Sequence, residues 1–249
     1  MTLRPCNPFN YEKYTSLVQD FVAFVTQYIQ EYEINHCRGW AENLKSYRYK
    51  YSGGIANFQK GISTRLSFHA EIRSALNQRD TEALRSTIDK IMRWGGMKAY
   101  RKEGNDIINS FRILDSLENG YEDWENLIGS RIASTSKIYA MYAPQIWSIY
   151  DSRVGRGIQI LISLQQRNQN TTSEYLKFQS PPGRNREPVA GFKVITSQTQ
   201  ATLAFLYTSW LFRAIASRLN DREILLPEPL QNETWSVYHI EMVFFMIGR

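Results

Sequence analysis

Cysteine and histidine are scarce in this chain. Only 2 cysteines, Cys6 and Cys37, and 3 histidines, His36, His69 and His239, occur in 249 residues. Two cysteines so far apart form neither a disulfide framework nor a metal-ligand spacing, so a reducing cytoplasm is the expected compartment. The histidines include no His-x-His or His-x-x-x-His pair, so no metal or other cofactor is expected. No carboxylate cluster of metal-binding spacing occurs, which argues against a metal-dependent nuclease. Residues 1–14 lack an apolar core of signal-peptide length. The longest apolar runs, such as residues 243–247, are far too short to span a bilayer, so no membrane partner is expected. Internal repeats, coiled-coil heptads and low-complexity tracts are missing too.

What is present describes a packed globular chain. A hydrophobic fraction of 43% and an aromatic fraction of 13% suffice for a well-filled core and exclude a disordered chain. The length suits one large domain or two small lobes sharing an interface. Lys and Arg number 30 against 24 Asp and Glu, a net charge of +6. Such an excess is compatible with nucleic acid without being diagnostic of it.

Apolar residues recur at helical spacing along most of the chain, which predicts an all-α fold of about ten helices in two lobes. Predicted helices cover residues 11–32, 54–77, 81–94 (capped by Asp80), 105–119, 121–128, 131–143, 151–166, 198–219 and 232–247. Residues 46–51 alternate tyrosine with Ser46, Arg48 and Lys50, as a short strand or loop would. Those tyrosines and basic residues could stack on bases and touch phosphates. A core-facing tyrosine row with solvated basic residues opposite explains the pattern better. Lys98 and Arg101, near Tyr100 and the Gly95-Gly96 turn, form a basic patch suited to phosphate. A solvated helix end explains them almost as well. Residues 167–188 are the one long break. His239 and Glu241 stand among apolar residues of the last helix, where a histidine is more often a core residue than a ligand.

Residues 128–158, IGSRIASTSKIYAMYAPQIWSIYDSRVGRGI, organise the rest. Gly129 and Ser130 can open a helix, residues 131–143 continue it without Pro or Gly, and Pro144 stops it. Trp147, Ile149 and Tyr150 then read as a short extended segment. Asp151 stands where the next helix takes its N-cap. A helix, a tight return and a second helix start bring Lys137 and Asp151 towards one region of the surface, beside Arg131, Arg153 and Arg156. On spacing alone, Asp151 as a simple cap and Lys137 as a solvated lysine is the more ordinary reading.

The run from Ser148 to Arg156 resembles the segment of helix-hairpin-helix DNA glycosylases in which the catalytic aspartate opens a helix. Ile149-Tyr150, Asp151, Val154 and Arg156 carry that resemblance. Ser134-Thr135-Ser136-Lys137 is similar to the hairpin bearing the catalytic lysine in lyase-competent members. It departs from them by lacking Gly-x-Gly and by a shorter interval to the aspartate. The resemblance implies one two-lobed domain over 1–249, with a degenerate helix-hairpin-helix and catalytic segment at about 124–166, acting as a monomer on double-stranded DNA. It implies Asp151 as the carboxylate that stabilises an oxocarbenium-like transition state. Lys137 is implied either as a Schiff-base nucleophile or as a phosphate partner, and the hairpin departures favour the second, purely hydrolytic route. Arg131, Ser134, Ser136, Arg153 and Arg156 are implied as DNA-backbone contacts. Among such enzymes the chain looks closest to phage-defence proteins that excise glucosylated hydroxymethylcytosine from phage DNA. The loop at 167–188 is expected to border the pocket. Repair of an oxidised or alkylated base, a helical DNA-binding module without catalysis, and a helical protein-interaction component remain alternatives.

Overall fold

A computed structural model describes residues 11–51, 54–97, 104–118, 127, 131–169, 181 and 188–249. Apart from Leu127, the expected helix at 121–128 lies outside these residues, as do Lys98, Arg101, Gly129, Ser130 and most of the 167–188 loop. Among the described residues the chain is mostly helical, with nine helices and two short two-stranded hairpins. None of these helices is long and apolar enough to cross a membrane.

Helix α1 (Tyr11–Glu31) buries Phe21, Val22, Val25 and Ile29, the spacing of one helical face. Strands β1 (Glu33–Ile34) and β2 (Cys37–Arg38) follow, joined by Asn35 and His36 at φ 52 and 68. Positive φ at both central residues is what a tight two-residue hairpin requires. After α2 (Trp40–Lys45), strands β3 (Tyr49–Tyr51) and β4 (Gly54–Ala56) pair antiparallel, with Tyr49 opposite Ala56. That pairing moves the start of α3 (Phe58–Asn77) from the expected residue 54. Residues 54–56 enter the hairpin, and the Asn57 side chain caps the helix by accepting from Lys60 N. Asp80 caps α4 (Thr81–Trp94) as expected, and α4 returns along α3.

Helices α5 (Gly104–Glu118), α6 (Ile132–Tyr142), α7 (Ser152–Gln169), α8 (Gln198–Asp221) and α9 (Val237–Ile247) complete the core. α6 stops at Tyr142, two residues before Pro144, as the sequence reading requires. The last helix starts at Val237 rather than 232. Asn220 holds the Trp235 backbone through both its N–H and its carbonyl, at 2.8 and 3.0 Å, and so keeps it out of the helix. Ser236 and His239 then form a capping box.

α9 is apolar almost all round, and such a helix must be central. It lies among α7, α8 and α2. α7 packs mainly on α9, and α6 on α3 and α4. Glycine lets α7 approach α9 closely. A Cβ on Gly157 would fall 2.2 Å from Phe244 O, and one on Gly248 would fall 1.8 Å from Arg153 O. Gly157→Ala or Gly248→Ala is therefore expected to cost at least about 2 kcal/mol through forced backbone displacement. Urea unfolding measures it, and a change below about 0.5 kcal/mol in both variants contradicts the close crossing.

Candidate functional site

Residues 147–150 form no regular element, yet they are buried. Buried amides require acceptors, and side chains from three helices supply them. Ser148 N donates to Ser209 Oγ of α8 at 3.1 Å. Ile149 N donates to Glu241 Oε2 of α9 at 3.0 Å, and Tyr150 N to Ser136 Oγ of α6 at 3.0 Å. The segment is thus pinned residue by residue, and it delivers Asp151 to the start of α7. Asp151 Oδ1 accepts from Arg153 N at 2.9 Å and Val154 N at 3.1 Å, the geometry of an N-cap.

Glu241, whose Oε2 accepts from Ile149 N, also holds Arg65 of α3. Arg65 Nη1 and Nη2 donate to the two carboxylate oxygens at 2.6 and 2.7 Å. Both side chains are essentially removed from solvent, at 1% and 2% exposure. This bidentate pair joins α3, α9 and the segment before α7 at one point.

Lys137 and Asp151 come together around a crevice lined also by Tyr47, Tyr49, Arg65, Trp94, Ile149, Glu241 and Phe245. Its volume is about 10 Å³, close to the least that admits one water. Lys137 is not a solvated lysine, because its exposure is 6%. Its ammonium donates to Ala133 O, one turn earlier in α6. Burial pushes its pKa below the ordinary lysine value, and the charges of Asp151 and Glu241, which pull the other way, do not compensate. Gly95 makes this placement possible. A Cβ there would stand 2.5 Å from Lys137 Cδ, so the lysine stem lies over the bare glycine. Burial lifts the Tyr49 phenol to about 12, and the Asp151 charge adds to that rise. The Tyr49 hydroxyl donates to Trp94 O at 3.2 Å and fastens the β3–β4 hairpin to the end of α4.

The remaining expected DNA contacts divide. Arg131 is exposed at the start of α6, whereas Arg153 and Arg156 are half-buried on α7. The Arg153 guanidinium lies 4.6 Å from the Phe245 ring centroid. Ser134 and Ser136 are corrected as phosphate contacts. They are 4% and 0% exposed, and Ser136 is occupied with Tyr150 N. In the tyrosine row, Tyr47 is buried and Tyr49 and Tyr51 are half-buried, while Arg48 and Lys50 are exposed, the core-facing arrangement. His239 is a core residue. Its Nδ1 accepts from Ser236 N at 3.2 Å, and burial, reinforced by Arg65, pushes its pKa down to about 3.

Sequence reasoning missed Arg65, Trp94 and the role of Gly95. A signal for the first existed, because a lone carboxylate inside an otherwise apolar helix, as at Glu241, demands a buried cation. Nothing in the sequence selects Arg65 as that cation. No family model matches the chain, and no curated protein or solved structure does so either.

Two stability measurements check this site. Glu241→Gln strands the Arg65 charge and is expected to cost about 3–5 kcal/mol, whereas the joint change Arg65→Met with Glu241→Leu costs clearly less. The second concerns His239, whose folded pKa of about 3 lies below its unfolded value. Between those values the unfolded chain binds the extra proton, so stability rises with pH there and falls as pH drops towards 3. Denaturation from pH 3 to 7 should show that slope reduced in His239→Phe, and an unchanged slope removes the assignment.

Proposed function

We propose that this chain is a DNA glycosylase that releases a modified base, with Asp151 and Lys137 as its reacting side chains. The observation that carries the reading is that a desolvated lysine with a lowered pKa and a helix-capping aspartate line one crevice. The cap holds Asp151 Oδ1 on Arg153 N and Val154 N, a fixed position from which a carboxylate can stabilise positive charge on a deoxyribose as its base departs. Desolvation favours the neutral amine, the form that is nucleophilic. This reverses the preference for a purely hydrolytic route that the hairpin departures suggested.

The Lys137 nitrogen lone pair bonds to C1′ while the C1′–N bond to the base breaks and the base takes the bonding pair. A proton leaves the new C1′–nitrogen centre and reaches the base with Asp151 as carrier. The remaining nitrogen lone pair then opens the sugar ring, O4′ takes a proton, and a protonated imine joins C1′ to Lys137. A crevice of about 10 Å³ admits no base. The walls made by Trp94 and by the β3–β4 hairpin must therefore part around a nucleotide flipped out of the duplex. Within this reading the proposed substrate is DNA carrying glucosylated hydroxymethylcytosine, as in antiviral defence, and an oxidised or alkylated base is the alternative.

Incubation with glucosylated phage DNA and with unmodified DNA, followed by a probe for abasic sites, tests the activity. Asp151→Asn keeps the cap and is expected to lower base release by a factor of about 100 or more while DNA affinity persists. Borohydride is expected to trap a protein–DNA adduct that Lys137→Gln cannot form. The rate should rise with pH through the lowered Lys137 pKa, because deprotonation creates the nucleophile. Wild-type base release by Asp151→Asn makes Asp151 a cap alone and removes it from the chemistry, whereas DNA binding without base release by the wild-type protein makes the chain a helical DNA-binding module.

A further inference from the structure

A cavity of about 460 Å³ opens between the end of α3, the start of α4, α5 and the last residue of α6. It shares no lining residue with the crevice around Lys137 and Asp151. Its volume and its apolar walls, Ala75, Leu76, Leu84, Ile108, Phe111 and Tyr142, are those of a small-molecule site. One wall is firmly held. The Tyr142 ring stacks on Phe111 with centroids 4.0 Å apart and carries the Arg73 guanidinium 4.6 Å from its centroid. Its hydroxyl donates to Asp115 Oδ2 at 2.7 Å.

Two arginines and two aspartates also line the cavity. Both carboxylates are engaged, because Asp80 Oδ1 accepts from Ala83 N at 2.9 Å and Asp115 from Tyr142. The arginines are exposed and little used by the fold. Arg112 makes one long hydrogen bond, 3.3 Å to Asn109 Oδ1. The Arg79 guanidinium has no hydrogen-bond or ion-pair partner among the described residues. Arg79 also stands where an arginine is costly. At φ 55 it ends α3 in the left-handed conformation, with its N–H on Leu76 O and the N–H of Asp80 on Ala75 O. That motif favours glycine. A fixed helix end thus holds an unpaired guanidinium at the rim of an apolar cavity.

We propose that this cavity binds a small organic anion, with an apolar body between the walls and a carboxylate or phosphate head group on Arg79. A guanidinium presents paired N–H donors that match either head group, and Arg112 adds positive charge to the same lining. Removal of the apolar body from water supplies the rest of the affinity. The site goes beyond the glycosylase reading and stands without it.

Titration of the full chain with octanoate and with octyl phosphate, followed by NMR of the Leu84 and Ile108 methyl groups, tests this. At least one anion should bind saturably and shift both residues, and the tighter of the two names the head group. 1-Octanol has the same chain without the charge and should bind at least about tenfold more weakly. Arg79→Gly should weaken anion binding about tenfold. Its melting temperature should stay at or above that of the wild type, because glycine suits the left-handed position. Arg79→Gln removes the charge without relaxing the backbone and should weaken binding to the same degree, which separates loss of the guanidinium from any change in the helix end. The proposal is overturned by no saturable binding of either anion, by shifts that spare Leu84 and Ile108, by equal binding of octanol, or by wild-type affinity in both Arg79 variants.

Discussion

The buried pair between Arg65 and Glu241 is the constraint on which the site depends. Its members come from α3 and α9, their contacts are 2.6 and 2.7 Å, and one oxygen also receives Ile149 N at 3.0 Å. A charge pair so deeply desolvated is weak evidence for net stability, because removing two ions from water offsets most of their attraction. Its consequence is positional. With Ile149 fixed on Glu241, the amides on either side fall to Ser209 and Ser136. The next residue, Asp151, then caps α7. Helix α7 in turn lies against α9, at a separation that Gly157 and Gly248 permit.

The same arrangement sets the electrostatics around Lys137. Two carboxylates, Asp151 and Glu241, and two guanidinium groups, Arg65 and Arg153, act on its nitrogen with opposite signs. The two carboxylates outweigh the two guanidinium groups, but burial outweighs them in turn and the neutral form gains. Lys137 would be an ordinary lysine if it reached solvent. It stays buried because its stem lies over Gly95, where no Cβ intervenes. Packing at a helix end thereby controls the protonation of a side chain on another helix.

Much of the fold was legible, because periodicity, caps and breakers are local. Asp80 before α4, Pro144 after α6 and the apolar stripe of α1 each act within a few residues of themselves. Boundaries failed where a distant partner intervened. Asn220 holds Trp235 out of α9, and the pairing of β4 with β3 removes residues 54–56 from α3. The meeting of Lys137 and Asp151 was readable from a helix, a return and a helix start. Its burial was not, because it depends on Gly95 and Arg65, which lie far away in sequence. Ser134 and Ser136 show the opposite error. Hydroxyls beside basic residues read as surface contacts, but here they face the core, where Ser136 serves the backbone of residue 150.

The folded chain holds Lys137 as a desolvated amine of lowered pKa. Its direct measurement is a titration of the Lys137 side chain in the free protein by NMR, following the ε-methylene carbon with Lys137→Met for assignment. The account predicts deprotonation below the ordinary lysine value of about 10.4. A midpoint at or above that value would contradict it, because the carboxylates would then govern Lys137 and the amine would not be the nucleophile.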